Sequence, residues 1–391
     1  MTSLTVFLIS MFFCFYTLFG YPLLLALEAR LRRRAVRRGP VRATVSVILP
    51  VYNGEQWIAT KLDSILRLDY PAGLVQILVI SDGSTDATHE IVCRYKSLAN
   101  LELIVVPRGG KAAAINAGLG KARGEILFFT DVRQDLAPDS LERLVECFAD
   151  PQVGAVSGEL IIRDGHGVEQ ASVGLYWKYE KWIRKLQSDI DSVMGTSGCI
   201  YAMRRSLARP LPPGTLVDDM YLPLGAFFDG YRVIFDERAL AYDFPTQLTS
   251  EFRRKVRTLA GVYQVIGQYP ALLGPRNRML IHFFSHKVAR LLLPWAMLAA
   301  FLTSFFLSPP WNGIALSAQF AGYSLAIADF LIPDGLPPKR LTSPFRTFVV
   351  LMAAALCAIS IFFVPAGILW GQTRVGAAAT HDPTDAADSG T

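Results

Sequence analysis

The sequence contains little cysteine, and its five cysteines show neither a CxxC spacing nor a disulfide framework. This argues against a zinc site or a disulfide-stapled scaffold, and the thiols are expected to be reduced and buried. Net positive charge is confined to one stretch. Seven arginines within residues 30–42 account for the formal charge of +6, and the rest of the chain is nearly neutral. No basic surface for nucleic acid is therefore expected.

Apolar residues are abundant instead, at 52% of the 391 residues, which predicts a membrane part. Residues 4–27 carry no charge and are long enough to span a bilayer. A signal peptide is the alternative, but the basic residues follow the apolar run instead of preceding it. We therefore interpret residues 1–28 as a retained anchor and residues 29–43 as a basic cytoplasmic linker that contacts membrane lipids.

Three further apolar runs, residues 291–307, 311–332 and 345–370, predict three transmembrane helices within residues 291–370. Residues 276–290 mix basic and apolar side chains and predict an interfacial amphipathic helix. Residues 371–391 are expected to be a disordered tail. The charges of the connecting loops indicate a multi-pass protein of the inner (cytoplasmic) membrane, with both termini outside and the central region in the cytoplasm.

Residues 44–275 predict one α/β domain. Short apolar runs at residues 45–49, 77–80 and 126–129 each end in a polar cluster, and helical patterns separate them. This order is typical of a mostly parallel sheet with crossover helices. Ligands bind at the carboxyl ends of such strands, so Asp82 and Asp131 are expected to face one crevice.

A glycine pair precedes Lys111 and opens the next predicted helix. Glycines let the backbone approach a ligand, and a helix N-terminus favours phosphate. Combined with Asp82 and Asp131, this segment indicates a nucleotide diphosphate site. A carboxylate at Asp131 is suited to hold Mg²⁺ or Mn²⁺ against the diphosphate, since both cations prefer oxygen ligands.

The segments VSVILPVYN, SDGSTD, GGKAAAINAG and FFTD, followed by GTSGCIYAMRR, LVDDMYLPL and EFRRKVRTLAGVYQ, closely resemble family 2 glycosyltransferases in this order. The resemblance covers roughly residues 44–264. It implies a nucleotide-diphospho-sugar transferase (GT-A-like) fold and a UDP-sugar donor. The flanking apolar runs resemble the membrane-integrated branch, which includes cellulose, chitin, hyaluronan and poly-N-acetylglucosamine synthases.

The same resemblance implies a role for each matching residue. Asp82 would bind uracil and ribose, and Lys111 would lie near the base or the diphosphate. Asp131 matches the first acid of the DxD metal motif. The base pocket would be lined by Pro50, Tyr52 and Asn53.

The catalytic motifs match further along the chain. Asp218 and Asp219 stand at the Glu-Asp of the TED motif, which makes Asp219 the catalytic base. Arg257 stands at the arginine of the QxxRW motif, and Arg254 belongs to the same basic cluster, which would stabilise the departing diphosphate. Inverting transfer needs a base on one face of the sugar and positive charge on the other. Trp177, in an aromatic and basic stretch, either walls the acceptor site or lies in an interfacial belt.

Two departures from the family pattern bear on the product. The second acid of the DxD motif is missing after Asp131, and the QxxRW motif lacks its glutamine and has Thr258 in place of its tryptophan. The missing tryptophan favours a hexosyl- or N-acetylhexosaminyltransferase that adds one sugar, or a few, to a lipid-linked or membrane-proximal glycan. A processive polysaccharide synthase and a non-catalytic partner that binds nucleotide-sugar are the alternatives.

Overall fold

The computed structural model describes residues 2–95, 100–163, 168–244, 248–333 and 336–369, with side chains omitted for residues 168–176 and 248–249. The tail at residues 371–391, expected to be disordered, lies outside them. The strands are β1 (Val45–Val51), β2 (Val75–Asp82), β3 (Leu101–Val106), β4 (Ile126–Phe129), β5 (Asp135–Leu136), β6 (Val153–Ile162), β7 (Tyr201–Arg204) and β8 (Arg232–Asp243).

Helices precede, separate and follow these strands. They are α1 (Ser3–Phe15), α2 (Tyr21–Leu31), α3 (Ile58–Leu66), α4 (Thr88–Tyr95), α5 (Lys111–Lys121), α6 (Ser140–Glu146), α7 (Val168–Ile190), α8 (Asp218–Phe228), α9 (Leu248–Gln268), α10 (Leu280–Phe283), α11 (Ala289–Ser304), α12 (Trp311–Ala328) and α13 (Pro337–Cys357). Two π-helical turns, Tyr16–Gly20 and Phe284–Val288, join α1 to α2 and α10 to α11.

The eight strands form one sheet in the order β3-β2-β1-β4-β7-β6-β8-β5. Strands β3, β2, β1 and β4 are parallel, as are β6 and β8, whereas β7 runs antiparallel to β4 and β6. The predicted α/β fold with a mostly parallel sheet is confirmed. Strand β1 lies between β2 and β4, so their carboxyl ends meet at one edge.

The strands of the parallel half are apolar almost throughout because helices cover both faces of the sheet. In β1, Ile48 belongs to the core beneath α5, while Val47 and Leu49 belong to the core beneath α3. All three side chains are fully buried. Each strand is thereby held rigidly, and the polar residues that follow it have fixed positions.

Three helical runs among the described residues are long and apolar enough to cross a membrane: Ser3–Leu31, Leu280–Ser304 and Pro337–Phe362. The predicted run 311–332 forms α12, which contains polar Asn312 and Gln319 and is not one of them, so this fourth span stays a prediction. Residues 280–290, predicted as an interfacial helix, continue directly into α11. By length and composition the described helices supply three spans where the sequence predicted four.

Buried polar contacts join these helices to the domain and to each other. On α7, Gln187 donates to the Tyr21 hydroxyl at 2.9 Å, and its amide nitrogen lies 3.3 Å from His286 Nδ1. Asp329, at the end of α12, is fully buried and accepts hydrogen bonds from Thr342 at 2.5 Å and Ser343 at 3.0 Å on α13. Helix α13 also packs against α7 and α9.

Candidate active site

The loops that follow β1 and β2 are tied to each other. Asn53, the residue after Tyr52, adopts a left-handed conformation with φ of 47°, which turns the chain sharply. Its side-chain oxygen accepts from the Thr85 N–H at 2.9 Å, and its own N–H donates to the Ser84 hydroxyl at 3.1 Å. Pro50 lies inside β1 and is half-buried. The resemblance groups Pro50, Tyr52 and Asn53, and the structure brings them to the same strand end.

Asp82, at the end of β2, binds the glycine pair that opens α5. Its buried carboxylate accepts from the N–H of Gly109 at 2.7 Å and of Gly110 at 3.0 Å, and it also pairs with Arg108. Gly110 has a φ of 86°, a conformation that favours glycine. In this structure Asp82 therefore shapes the approach to α5.

Arg108 is a site residue that the sequence did not reveal. Its guanidinium pairs with Asp82 and lies over the Tyr52 ring, 3.8 Å from the ring centroid. Arg108 stands in a loop between β3 and α5 and belongs to none of the motifs quoted above. The Arg108 guanidinium thus links the loop after β1 to the end of β2.

Lys111, the first residue of α5, bridges two carboxylates that are far apart in sequence. Its Nζ lies 2.9 Å from Asp131 Oδ1 and 3.1 Å from Asp218 Oδ1. Burial alone would lower the pKa of Lys111, but Asp131 and Asp218 outweigh burial and raise it above its ordinary value. The lysine is thus a permanent cation at the centre of the site.

Asp219 is held by the loop that precedes β7. Its Oδ2 accepts from the Gly198 N–H at 3.1 Å, and its carbonyl oxygen accepts from the N–H and hydroxyl of Thr196, each at 2.8 Å. Burial and the adjacent charge of Asp218 raise the pKa of Asp219 to about 6. A carboxylate with such a pKa is suited to accept a proton near neutral pH.

Helix α9 brings positive charge to the same cluster. Burial lowers the pKa of Arg257, while Asp131 and Asp219 act against that effect, so the guanidinium lies within electrostatic reach of both acids. Arg254 pairs with Glu251 at 2.5 Å, and its guanidinium carbon lies 5.8 Å from the centre of the Trp177 ring. The structure therefore joins Trp177 to the basic helix.

A second residue that the sequence analysis did not identify, Lys61, holds the loop that carries Asp131. Lys61 on α3 is buried, and its Nζ donates to the Thr130 hydroxyl at 2.6 Å and to the Gln134 carbonyl at 2.7 Å. Burial lowers its pKa to about 7. A lysine on an amphipathic helix gives no sequence signal for such a position, because it is expected in solvent.

The site offers a divalent cation one partly exposed carboxylate, Asp131, whose side chain is 38% exposed. Arg133 stands at the position of the second acid of the DxD motif, and it pairs with Asp243 at 2.5 Å. Among the described residues no group of three or more His, Cys, Asp or Glu side chains forms a protein-only metal cage. One carboxylate fits a hard cation that completes its coordination with substrate phosphates and water, as Mg²⁺ often does.

A mostly parallel sheet that carries these acids and cations at its strand ends defines a GT-A-like glycosyltransferase. Two family models agree: "Glycosyl transferase family 2" matches residues 46–211, and "Glycosyl transferase family group 2" matches residues 134–364. The chain belongs to the family 2 glycosyltransferases and is an enzyme of that family.

Known relatives share this class. The chain is 24% identical over 229 residues to a poly-beta-1,6-N-acetyl-D-glucosamine synthase of Staphylococcus epidermidis, covering 57% of this chain and 55% of the relative. It is 24% identical over 270 residues to the probable glycosyltransferase YdaM of Bacillus subtilis, covering 63% and 60%. The chain thus spans little more than half the length of the curated relatives it matches.

A solved structure resembles nearly the whole chain. It is the mannosyltransferase PcManGT from Pyrobaculum calidifontis in complex with GDP-Man and Mn²⁺. The identity is 25%, the TM-score is 0.72, and the match covers 92% of this chain and 99% of the mannosyltransferase. The likeness therefore extends beyond the sheet to the helices on both sides of it.

Proposed function

We propose that this enzyme moves a sugar from a UDP-sugar, with inversion, to a lipid-linked or membrane-proximal glycan, and that it is a multi-pass protein of the cytoplasmic membrane. The observation that carries the proposal is one cluster in which Lys111 pairs with Asp131 and Asp218, and in which Asp219 lies within electrostatic reach of Lys111 and Arg257. This is the pairing of base and positive charge that inverting sugar transfer requires.

The cluster divides the chemistry between its members. Asp219 takes the proton of the acceptor hydroxyl, whose oxygen attacks the sugar's anomeric carbon as the bond to the diphosphate breaks. Arg257 stabilises the negative charge that develops on the departing diphosphate. Asp218 raises the pKa of Asp219 and orients Lys111. When bound, Mg²⁺ or Mn²⁺ at Asp131 supplies further positive charge to the diphosphate.

The donor is proposed to bind at the ends of β1 and β2. Pro50, Tyr52 and Asn53 form the proposed base pocket, and Asp82 is the proposed partner of the base and ribose. The first turn of α5 receives the diphosphate, since the N-terminus of a helix favours anions. Arg108 covers Tyr52 and closes this pocket.

The acceptor is proposed to approach from the side of α7 and α9. Trp177 lies there with the Lys255 Nζ 4.9 Å from its ring centre and with Arg254 beside it. An aromatic face suits a sugar ring, and the neighbouring cations suit an anionic acceptor or lipid headgroups. Three described helical runs that are apolar enough to span a bilayer support this membrane-proximal arrangement.

A processive polysaccharide synthase is the second candidate. The observation in its favour is the similarity to poly-beta-1,6-N-acetyl-D-glucosamine synthase, which is 24% identical to this chain. The absence of a tryptophan after Arg257 favours short products instead. Product length, measured by mass spectrometry, distinguishes the two candidates.

The test uses the full chain in nanodiscs with a panel of UDP-sugars, GDP-mannose as an alternative donor, and Mg²⁺ or Mn²⁺. Nucleotide release is followed with and without a membrane lipid extract, for wild type and Asp219→Asn. Release that is specific to a UDP-sugar, needs Asp219 and rises with lipid supports the proposal. Release from GDP-mannose alone would overturn the donor assignment, and release that ignores lipid would overturn the acceptor assignment.

A further inference from the structure

Two cations on the acceptor side of Asp219 lack an acidic partner among the described residues. Lys287 lies on the π-helical turn Phe284–Val288 and, within the described chain, makes no hydrogen bond and no ion pair. Arg184 on α7 donates to the Ser157 hydroxyl at 2.6 Å and lies 4.9 Å from the centre of the Phe235 ring, so both of its contacts are uncharged. Both side chains are only half-exposed.

Arg184 is connected to Asp219 by a short hydrogen-bonded path. The Ser157 hydroxyl that accepts from Arg184 also accepts from the Ser197 N–H at 2.9 Å. The next residue, Gly198, donates its N–H to Asp219 at 3.1 Å. Among charged groups Glu180 acts most strongly on Lys287, and Arg184 and Asp219 act on it as well, although Lys287 comes from a different helix. Both cations therefore lie within electrostatic reach of the proposed base.

The acids nearest to these cations are already paired. Glu180, one turn before Arg184 on α7, forms an ion pair with Arg290 and lies 3.5 Å from His286. Glu180 also acts on Arg184 and Lys287, so one carboxylate is shared among three cations. Partly buried cations with too little counter-charge are costly, and a bound anion offsets this cost. The surplus of positive charge between α7 and the π-helical turn is therefore suited to an anionic ligand.

The position of Lys287 indicates which anion this is. The π-helical turn belongs to the apolar helical run Leu280–Ser304 and lies near its start, where lipid headgroups are expected. The donor's diphosphate belongs on the other side, with Lys111 and Asp131, because inversion separates the leaving group from the base. Guanidinium and ammonium groups together bind phosphate strongly.

We propose that Lys287 and Arg184 bind the phosphate that joins the acceptor sugar to its carrier. The inference rests on the proposed transferase function and names its acceptor class, a glycosyl phosphate ester. The sugar hydroxyl reaches Asp219 while the phosphate is anchored beside it. A phosphate nucleophile would need no general base, so the presence of Asp219 favours attack by the hydroxyl.

Binding is measured with three probes that carry the same N-acetylglucosamine: its decyl phosphodiester, its decyl glycoside and its free 1-phosphate. Each is titrated calorimetrically into the full chain in nanodiscs with UDP present, and into empty nanodiscs. Wild type is expected to bind the decyl phosphodiester at least about tenfold more tightly than the glycoside, because hydrogen bonds to charged groups are strong. If the free 1-phosphate binds as tightly as the decyl phosphodiester, the site takes a soluble sugar phosphate. If it binds more weakly, the site takes a lipid-linked phosphate.

Variants assign the difference to the two cations. Lys287→Met and Arg184→Gln are each expected to lose about tenfold in affinity for the phosphodiester and nothing for the glycoside. Lys287→Arg keeps the charge and should retain binding. Lys178→Met, at an exposed lysine on α7, is the matched control and should bind as wild type does.

Two results overturn the inference: equal binding of phosphodiester and glycoside by wild type, or unchanged phosphate preference in both charge-removing variants. The wild-type comparison needs no variant to fold. Nucleotide release that needs Asp219 and rises with the membrane lipid extract reports the transferase separately. Such release without phosphate preference rejects the phosphate site alone, whereas its absence in wild type with every donor rejects the proposed function.

Discussion

The pKa of Asp219 leads to a prediction about the pH dependence of transfer. Burial and Asp218 raise this pKa from 3.8 to about 6. A general base acts only in its ionised form, so the rate should fall as the pH drops through about 6. At pH 5 only about one-tenth of the molecules would carry an ionised base, and the rate should be about one-tenth of its plateau.

Asp218→Asn tests this electrostatic origin. It removes the charge that repels ionised Asp219, and it frees Lys111, whose charge also lowers the Asp219 pKa. Both effects lower the pKa, so the acidic limb of the rate profile should move to lower pH. If the pKa falls by about one unit, the ionised fraction at pH 5 rises from about one-tenth to about one-half.

The assay is the initial rate of nucleotide release at saturating donor and acceptor, from about pH 4.5 to 8. Asp219→Asn keeps the shape of the side chain and an acceptor for the Gly198 N–H, but it cannot take the proton. It should lose about 10²- to 10⁴-fold in rate at every pH. An acidic limb that stays in place in Asp218→Asn would refute the electrostatic argument, and an active Asp219→Asn would refute the assignment of the base.

Three further predictions concern the cations around the site. Lys111→Met removes a charge that lowers the pKa of Asp219, so the acidic limb should move to higher pH in the same assay, opposite to Asp218→Asn. Arg108→Ala removes a partner of Asp82, so steady-state kinetics should show the donor KM rising about tenfold with kcat changed less than about twofold; a loss confined to kcat would contradict this role. Folded Lys61 releases its proton near pH 7 and unfolded Lys61 near 10.5, so stability should rise across this window by about 1 kcal/mol per pH unit, and thermal unfolding of Lys61→Met should lack that increment.

The sequence predicted the parallel half of the fold because local signals are strong there. Short apolar runs set the strands, and their polar ends carry Asp82 and Asp131 to one edge, as the pairing of β1 with β2 and β4 confirms. The antiparallel insertion of β7 between β4 and β6 had no such signal, since it depends on contacts between distant segments.

Some site residues were likewise identified by sequence motifs, and others became apparent only in the folded chain. Motif spacing identified Asp131, Asp218 and Lys111 separately, but only the folded chain joins them through one ammonium group. Lys61 and Arg108 were missed because their roles come from partners on other elements, to which no sequence pattern points. The role of Asp82 in nucleotide binding stays a prediction.

The hydrogen bonds that Gln187 makes to Tyr21 and shares with His286 have a consequence for how reactants are selected. They fasten two apolar helical runs to α7, the helix that carries Trp177 beside the active site. The fold therefore sets the distance between those two helical runs and Asp219. For the proposed lipid-linked acceptor, we therefore expect transfer only if the spacer between its lipid and its sugar brings the hydroxyl to that distance.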